Sequence, residues 1–344
     1  MTLEQIFEIA VKENASDVHI VVGEPPILRI NGELHQIKDA ELFTAEAVQK
    51  LVYDILSAEQ KERLEREKEL DLSYQIQDGS RLRVNCHFEK GNIGLAARII
   101  PSKIPSMEEI GMPEIVYQLT REKDGLVLVT GPTGCGKSTS LAAMIDLVNQ
   151  ERSESIITLE DPIEFIYTPK KSIIIQRQLG QDMLSFGEGL KHALRQDPNI
   201  LLVGEMRDLD TIGTTITMAE TGHLVFATLH THNAGQTIDR VIDVFPPHQQ
   251  DQVRLQLSLS LRAVISQHLI PAANGGRVAL REILINTPAV ANLIKENKVA
   301  QIKSVIQTSA EVGMITRDQH LKQLLAQKLI TKEVYKAYLE DGEE

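Results

Sequence analysis

Cysteine is scarce in this sequence: its 344 residues include only Cys86 and Cys135. Two cysteines in one chain exclude a disulfide-stabilised scaffold and a four-cysteine zinc site. Long apolar runs are also missing, since runs such as those at 126–129 and 200–203 fall far short of the roughly 18 residues that span a bilayer. The N-terminal residues MTLEQIFEIA carry two early glutamates and no basic segment, so they do not form a signal peptide. We therefore expect a cytoplasmic protein without a transmembrane segment.

An excess of basic residues is lacking as well. Asp and Glu number 48 against 36 Lys and Arg, which gives a net charge of −12. The segments 1–110 and 111–344 carry net charges of −7 and −5, so neither is basic. Duplex DNA is bound largely through Lys and Arg that neutralise its phosphates. We expect no nucleic-acid partner, although a local basic groove stays open.

The first hundred residues predict an α+β domain with a mostly antiparallel sheet. Apolar residues at helical spacing predict helices at 3–11, 45–56 and 58–69, the second with Thr44 as its N-cap. Alternating apolar and polar residues, separated by turn signals at 23–26, 31–32 and 78–79, predict six strands. These strands cover residues 18–22, 27–30, 34–37, 72–76, 82–88 and 93–100.

The pattern changes after residue 100. Residues 101–105, PSKIP, break the sheet pattern and indicate a linker, which we place at 101–112. From residue 113 onward the sequence predicts a doubly wound α/β domain that ends in helices from about residue 289. Its apolar runs lack alternation and are separated by helical patterns, which is typical of buried parallel strands. These runs are residues 126–129, 156–159, 200–203 and 225–229.

A phosphate-binding motif lies between the first of these strands and the helix that follows it. Residues 131–138, GPTGCGKS, match G-x-x-x-x-G-K-[ST] in full. Glycines let backbone N–H groups turn toward phosphate oxygens, and the helix N-terminus adds partial positive charge. Lys137 is expected to reach the outer phosphates and Ser138 to ligate Mg²⁺. The sequence thus predicts a site for ATP and Mg²⁺ made by Gly131, Pro132, Thr133, Gly134, Cys135, Gly136, Lys137, Ser138 and Thr139.

Carboxylates follow two other predicted strands. Glu160, Asp161 and Glu164 come after the strand at 156–159, and Glu205 comes after the strand at 200–203. Ligands gather at the carboxyl ends of strands in open α/β sheets, so these groups are expected to face the phosphates. We assign Glu164 as the base or water-positioning residue and Glu205 to the Mg²⁺ shell, with Glu160 and Asp161 in support. Exchanged roles for Glu164 and Glu205 stay open.

Two histidines bracket the apolar run at 225–229. His230 stands at the carboxyl end of that strand, where it could sense the γ-phosphate by hydrogen bonding, and we take it as a functional residue. His223 stands at the other end and fits a structural role equally well. We do not expect either histidine to ligate a metal, because no Cys or His residues follow them at the spacing of a zinc site.

Five segments together resemble the secretion-superfamily ATPases of the bacterial type IV pilus system, within them the retraction ATPases. The resemblance covers nearly the whole chain. It rests on the motif above and on residues 15–19 (ASDVH), 159–165 (LEDPIEF), 193–208, 222–231 and 238–246.

The resemblance implies a RecA-like P-loop ATPase core at 113–344 and an N-terminal PAS-like domain at 1–100. It also implies a homohexameric motor that couples ATP hydrolysis to pilus retraction and twitching motility. Arg83 and Arg98, with Arg81 nearby, match the arginines that approach the phosphates in this family, and an ordinary surface role for each stays open. Expected partners are an inner-membrane pilus platform protein and a paralogous pilus ATPase. The expected location is cytoplasmic, peripheral at the inner face of the cell membrane.

Alternatives within and beyond this family remain. Assembly and type II secretion ATPases usually carry an extra N-terminal domain and a four-cysteine zinc insert, which this chain lacks. The retraction signature AIRNLIRE appears here as AVANLIKE at 289–296, where Ala291 and Lys295 replace arginines. Lys keeps the charge but loses the planar fork, whereas Ala loses both. An accessory or assembly-type ATPase subunit is the alternative function; a DNA translocase is disfavoured by the acidic balance. A redox role of Cys135, which replaces a small polar residue, stays open.

Overall fold

The structure is a computed structural model of the chain. Three residues for which the sequence predicts a turn or a linker, Asn31, Pro101 and Ser102, lie outside the part that it describes. Within the described part, no helix is both long and apolar enough to cross a membrane. The described residues are 1–30, 32–38, 40–100 and 103–340.

The chain divides into two compact units, Met1–Lys103 and Ile104–Glu344. In the first unit, six antiparallel strands form one sheet in the order β3-β2-β1-β6-β5-β4. The elements of this unit are α1 (Leu3–Lys12), β1 (Asp17–Ile20), β2 (Ile27–Ile30), β3 (Glu33–Gln36), α2 (Ala45–Asp54), α3 (Ala58–Glu67), β4 (Glu69–Gln75), β5 (Arg81–Glu89) and β6 (Asn92–Ile100).

Side-chain caps set the starts of the three helices of this unit. Thr2 and Ser57 form capping boxes with glutamines three residues later, and the Thr44 hydroxyl accepts from the backbone N–H of Ala47 at 3.2 Å. Each cap satisfies a backbone donor that the first helical turn leaves unpaired. The N-cap expected at Thr44 is therefore present. The sheet and helices enclose a core that includes Phe7 and Leu82, both fully buried.

The segment expected to be a linker is partly a buried element of the second unit. Met107 and Met112 are 3% and 7% exposed and belong to the core around the second unit's sheet. The buried guanidinium of Arg281 donates to the carbonyls of Ile110 and Gly111 at 3.0 and 2.8 Å. Residues 104–112 thus pack with the second unit, which begins earlier than the sequence suggests.

The second unit contains a seven-stranded sheet in the order β13-β12-β7-β11-β10-β8-β9. All neighbouring strands are parallel except the antiparallel pair β12 and β13. Its elements are α4 (Glu114–Leu119), β7 (Gly125–Thr130), α5 (Lys137–Glu151), β8 (Ser155–Glu160), β9 (Ile173–Gln178), α6 (Phe186–Ala193), β10 (Ile200–Val203), α7 (Leu209–Glu220), β11 (Leu224–Leu229), α8 (Ala234–Asp243), α9 (Pro247–Ser260), β12 (Leu261–Pro271), β13 (Arg277–Ile285), α10 (Pro288–Lys295), α11 (Ile302–Thr308), α12 (Arg317–Ala326) and α13 (Lys332–Glu340).

Helices cover both faces of the seven-stranded sheet. Successive residues of a central strand enter different cores: Leu126 and Leu128 join one cluster, and Val127 and Val129 join the other. All six residues of β7 are buried, as are all six of β11. Burial on both faces explains why these strands read as uninterrupted apolar runs. The expected α/β class with a parallel core is confirmed.

Three strands of this sheet are not predicted from the sequence. β9 is an edge strand, and the pair β12–β13 extends the other side of the sheet. Polar residues at 266–268 interrupt the apolar pattern of β12, which hides it from a search for uninterrupted runs. The turn at 272–276 reads AANGG, and its Asn-Gly step is a hairpin signal that could have revealed the pair. β12 matters because it lies directly beside β7, the strand that leads into the phosphate motif.

Candidate active site

The glycine-rich turn at 131–136 joins β7 to α5, as the motif requires. Gly131, Gly134 and Gly136 have φ values of +139°, +77° and +87°, a region that favours glycine. Gly136 occupies the N-cap position of α5 with no side-chain cap. Backbone N–H groups of this turn and of the start of α5 are therefore available to an anion, except those of Cys135 and Ser140, which donate to the oxygens of Pro132 and Gly136 at 3.3 and 3.0 Å.

Two of these glycines differ in their surroundings. A Cβ at Gly131 would collide with the backbone oxygen of Gln267 and lie 2.7 Å from the Cys135 sulfur. A Cβ at Gly134 would meet nothing within 4 Å. The turn is thus tightly packed against β12 at one point and open to solvent at another, where a phosphate could approach.

The Lys137 ammonium folds back over this turn. Its Nζ donates to the carbonyl oxygens of Gly131 and Pro132 at 2.7 and 3.2 Å. Burial lowers the pKa of Lys137, while interactions with Cys135 and with the carboxylates of Glu205 and Glu164 act in the opposite direction. Lys137 therefore lies within electrostatic reach of both carboxylates that the sequence assigns to catalysis.

Glu205 follows β10, and its carboxylate contacts two basic side chains. Its carboxylate pairs with the Arg207 guanidinium at 2.7 Å and with Nε2 of His230 at 3.3 Å. Burial raises the pKa of Glu205, but hydrogen bonding and charge from Arg207 and His230 outweigh this effect, and its pKa lies below the ordinary value. Glu205 is therefore held ionised, as a metal ligand must be.

The carboxylates after β8 have different environments. Glu160 is 9% exposed and accepts from the Thr158 hydroxyl at 2.6 Å and from Gln176 at 3.3 Å. Burial raises its pKa, whereas Glu164 and Asp161 are exposed. Interaction with the Glu164 backbone lowers the pKa of Glu160, against the larger effect of burial. Glu160 is thus buried and hydrogen-bonded at the end of β8, whereas the Glu164 side chain is exposed to solvent.

The two histidines around β11 lie at opposite ends of the strand. His230 is at the carboxyl end, 45% exposed, and contacts Glu205. His223 is at the amino end, where its Nδ1 lies 3.0 Å from the carbonyl oxygen of Met218 at the end of α7. His230 belongs to the group around Glu205, and His223 caps a helix end.

Arg207 and Gln267 have contacts at the site that the sequence pattern does not predict. Arg207 lies within the segment 193–208, and its guanidinium pairs with the Glu205 carboxylate at 2.7 Å. Gln267 is 1% exposed, and its side-chain amide donates to the carbonyl oxygen of Cys135 at 2.7 Å. A polar residue in an otherwise apolar strand was the available signal for Gln267.

Arg83 and Arg98 lie side by side in the first unit, paired across β5 and β6. The Arg98 side chain is 72% exposed and pairs with Asp17 on β1 at 2.9 Å. Hydrogen bonding from Ser16 and Arg98 holds the pKa of Asp17 below its usual value, although burial acts in the opposite direction and is the largest single effect. Arg83 is also exposed. The two arginines form an exposed basic pair on one face of this sheet.

The available donors fit a magnesium ion better than a zinc ion. The described residues contain no group of three or more His, Cys, Asp and Glu side chains placed to hold a metal. Mg²⁺ usually needs only one or two protein oxygens, with phosphates and waters completing its shell. The Ser138 hydroxyl at the start of α5 and the ionised carboxylate of Glu205 are oxygen donors of this kind.

A family profile described as type II/IV secretion system protein matches residues 1–336. The chain belongs to this family. Among the secretion-family proteins of known name, it is 48% identical over 333 residues to the type IV pilus retractation ATPase PilT of Pseudomonas aeruginosa, covering 97% of this chain and 96% of that protein. It is also 48% identical over 321 residues to a twitching motility protein of Neisseria gonorrhoeae, covering 92% and 85%.

A solved structure within the secretion family matches both units. It shows the pilus retraction motor PilT with bound ADP and superposes with a TM-score of 0.92 at 44% identity, over 97% of this chain and 96% of that one. The resemblance to pilus retraction ATPases inferred from the motifs is thereby confirmed. Ala291 and Lys295, which depart from the retraction signature, lie on α10, with Lys295 exposed in its last turn.

Proposed function

We propose that this protein is a Mg²⁺-dependent ATP hydrolase that drives type IV pilus retraction. The observation that carries the proposal is the position of Lys137: it lies in a glycine-rich anion cradle and within electrostatic reach of Glu164 and Glu205. A purely structural glycine turn needs neither a partly buried lysine nor carboxylates at the ends of two further strands. The names of the relatives, PilT and twitching motility protein, support the same function.

In this proposal, the cradle at residues 131–139 binds the nucleotide. Backbone N–H groups of the turn and of the start of α5 contact the phosphates, and Lys137 exchanges its carbonyl partners for phosphate oxygens. The ADP bound by the PilT structure supports a nucleotide as the ligand. Ser138 and Glu205 would hold Mg²⁺, which neutralises charge on the phosphates.

ATP hydrolysis is carried out by a second set of groups, which act on the attacking water and on the γ-phosphate. Glu164, exposed beside the buried Glu160, orients and deprotonates the water. His230 hydrogen-bonds near the γ-phosphate and links it to Glu205. Arg83 and Arg98 supply positive charge that stabilises the transition state.

The assembly we propose is a homohexamer that acts on an inner-membrane pilus platform protein from the cytoplasmic face. A paralogous pilus ATPase is a further proposed partner. The similarity to PilT over both units supports this arrangement. The purified chain is expected to have the mass of six copies and to hydrolyse ATP only when Mg²⁺ is present. A monomer that hydrolyses no ATP would contradict the proposal.

Ala291 favours a second candidate, an accessory subunit that binds nucleotide and assists another motor. Loss of an arginine from α10 removes a charged fork that a partner could recognise. The two candidate functions can be distinguished by measuring pilus retraction in cells that lack their own retraction ATPase and express this chain. The wild-type chain should restore retraction alone, whereas restoration only together with a second ATPase would favour the accessory role. Ala291→Arg should leave ATP turnover unchanged in either case, because α10 contributes no residue to the cradle.

A further inference from the structure

The orientation of the Cys135–Gly136 peptide sets the direction of one backbone N–H group of the cradle. In a planar trans peptide the carbonyl oxygen and the following N–H point in opposite directions. If the Cys135 oxygen turned inward, it would face the phosphate and direct the Gly136 N–H away. Gly136 has φ +87° and no Cβ, so its backbone has little intrinsic resistance to such a rotation.

Gln267 holds this peptide in one orientation. Its side-chain Nε2 donates to the Cys135 oxygen at 2.7 Å from the neighbouring strand β12. The Nε2 atom also lies 3.3 Å from the position that a Cβ of Gly136 would take. The contact fixes the Cys135 carbonyl toward β12 and therefore aims the Gly136 N–H to the opposite side.

Ser140 fixes the orientation of the Gln267 amide. The Ser140 hydroxyl, on the first turn of α5 and 2% exposed, donates to Oε1 of Gln267 at 2.9 Å. A rotated amide would place Oε1 against the Cys135 oxygen, where two acceptors repel each other. Ser140 also donates its backbone N–H to the Gly136 oxygen at 3.0 Å. One hydrogen bond of the Gln267 amide thus holds the peptide, and the other keeps the amide in the orientation that does so.

We infer that Gln267 is a positioning residue that keeps the Gly136 N–H directed at the bound phosphates, with Ser140 setting its amide. The inference rests on the proposed function, because it assigns Gln267 to a nucleotide site. Gln267 touches no phosphate itself. It acts on affinity through the backbone, in the way that preorganised N–H groups bind an oxyanion.

The test is ADP affinity, measured by calorimetry, of Gln267→Met, which keeps the volume but removes both hydrogen bonds. We expect its ADP Kd to rise at least about tenfold. The KM for ATP should rise by a similar factor while kcat changes less than about threefold, because binding of ground and transition states weakens together. Ser140→Ala, a smaller change, should raise the Kd about threefold, and the double variant should be no weaker than Gln267→Met, since both act on one peptide.

Asn286→Leu is the matched control. The Asn286 amide donates to the carbonyls of Ser258 and Leu261 at 2.9 Å each and so braces the opposite end of β12. This variant should lower the melting temperature yet leave the ADP Kd within twofold of wild type. An unchanged ADP Kd in Gln267→Met, or an equal loss in Asn286→Leu, would overturn the inference alone. A wild-type chain that binds no ADP would overturn the proposed function and this inference with it.

Discussion

The phosphate cradle of the second unit and the arginine pair of the first unit are built in opposite ways. Around the cradle, Lys137 and Gln267 each make two hydrogen bonds, and Gln267 is almost completely buried. Arg83 and Arg98 stand exposed on a sheet surface, and Arg98 pairs with Asp17. A backbone turn that is already packed and hydrogen-bonded is suited to hold a ligand from the start, although the Lys137 ammonium first has to leave the carbonyls of Gly131 and Pro132. An exposed charge can change partners at little cost.

This difference suggests a division of labour. We propose that the cradle determines whether nucleotide binds and that the arginines determine how fast it is hydrolysed. Variants of the cradle should therefore change affinity, and variants of the arginine pair should change turnover with affinity kept.

Lys137→Ala should have the largest effect. It removes the ammonium that we propose neutralises the outer phosphates, so kcat/KM for ATP is expected to fall by roughly 10³-fold or more. Steady-state hydrolysis measured against Lys191→Ala provides the comparison, because Lys191 is an exposed lysine paired with Glu188 at 3.0 Å. Equal activity in the two variants would remove Lys137 from the mechanism.

Arg98→Ala should lower kcat by about 10²-fold, because it removes a positive charge that we propose stabilises the transition state. Its ADP Kd should stay within twofold. Arg29→Ala is the matched control, since Arg29 shares the partner Asp17 at 3.9 Å but lies on β2. If Arg98→Ala weakened ADP binding as strongly as it slowed turnover, the division between cradle and arginines would be wrong.

Gly131→Ala should weaken ADP binding by roughly 30-fold, because the new methyl group collides with the Gln267 backbone at a φ that disfavours alanine. Gly235→Ala is the control, because it tests whether a methyl group added elsewhere in this unit also weakens ADP binding. Its Cβ would make only ordinary contacts, the nearest at 3.5 Å. Calorimetry that finds both variants equal to wild type would show that the close approach of β12 is not needed.

The smallest effect concerns pH. The ordinary pKa of Glu205 is 4.5 and its folded pKa is lower, so the pairing with Arg207 and His230 stabilises the fold above 4.5 and is lost as the pH falls through the folded value. Between pH 7 and pH 3.5 the melting temperature should fall more in wild type than in Glu205→Gln. The expected difference is only about 2 °C, because solvent screens a half-buried pair. An identical fall in both proteins would argue against the ion pair.

Regular patterns in the sequence are enough to predict the centre of the second unit's sheet and the place of the phosphate motif. Uninterrupted apolar runs locate β7, β8, β10 and β11. In the first unit, Thr44 is identified as a helix cap by its position before a helical pattern. The motif at 131–138 lies between a strand and a helix, as expected.

Contacts between distant segments could not be derived in this way. Gln267 lies 132 residues after Cys135, and only the parallel pairing of β12 with β7 brings the two together. The pairing of Arg207 with Glu205 depends on how the chain turns after β10, which apolar spacing does not encode. The burial of Met107 and Met112 shows that a proline-rich segment can still enter a core.

The most direct test of the account is the turnover of Glu164→Gln, measured together with its ADP affinity and its mass. Glutamine keeps the shape of the side chain and removes the base. We predict that the variant binds ADP as wild type does, keeps the mass of wild type and loses nearly all Mg²⁺-dependent ATP hydrolysis. Near-normal kcat in this variant would contradict the assignment of Glu164 and with it the proposed mechanism of hydrolysis.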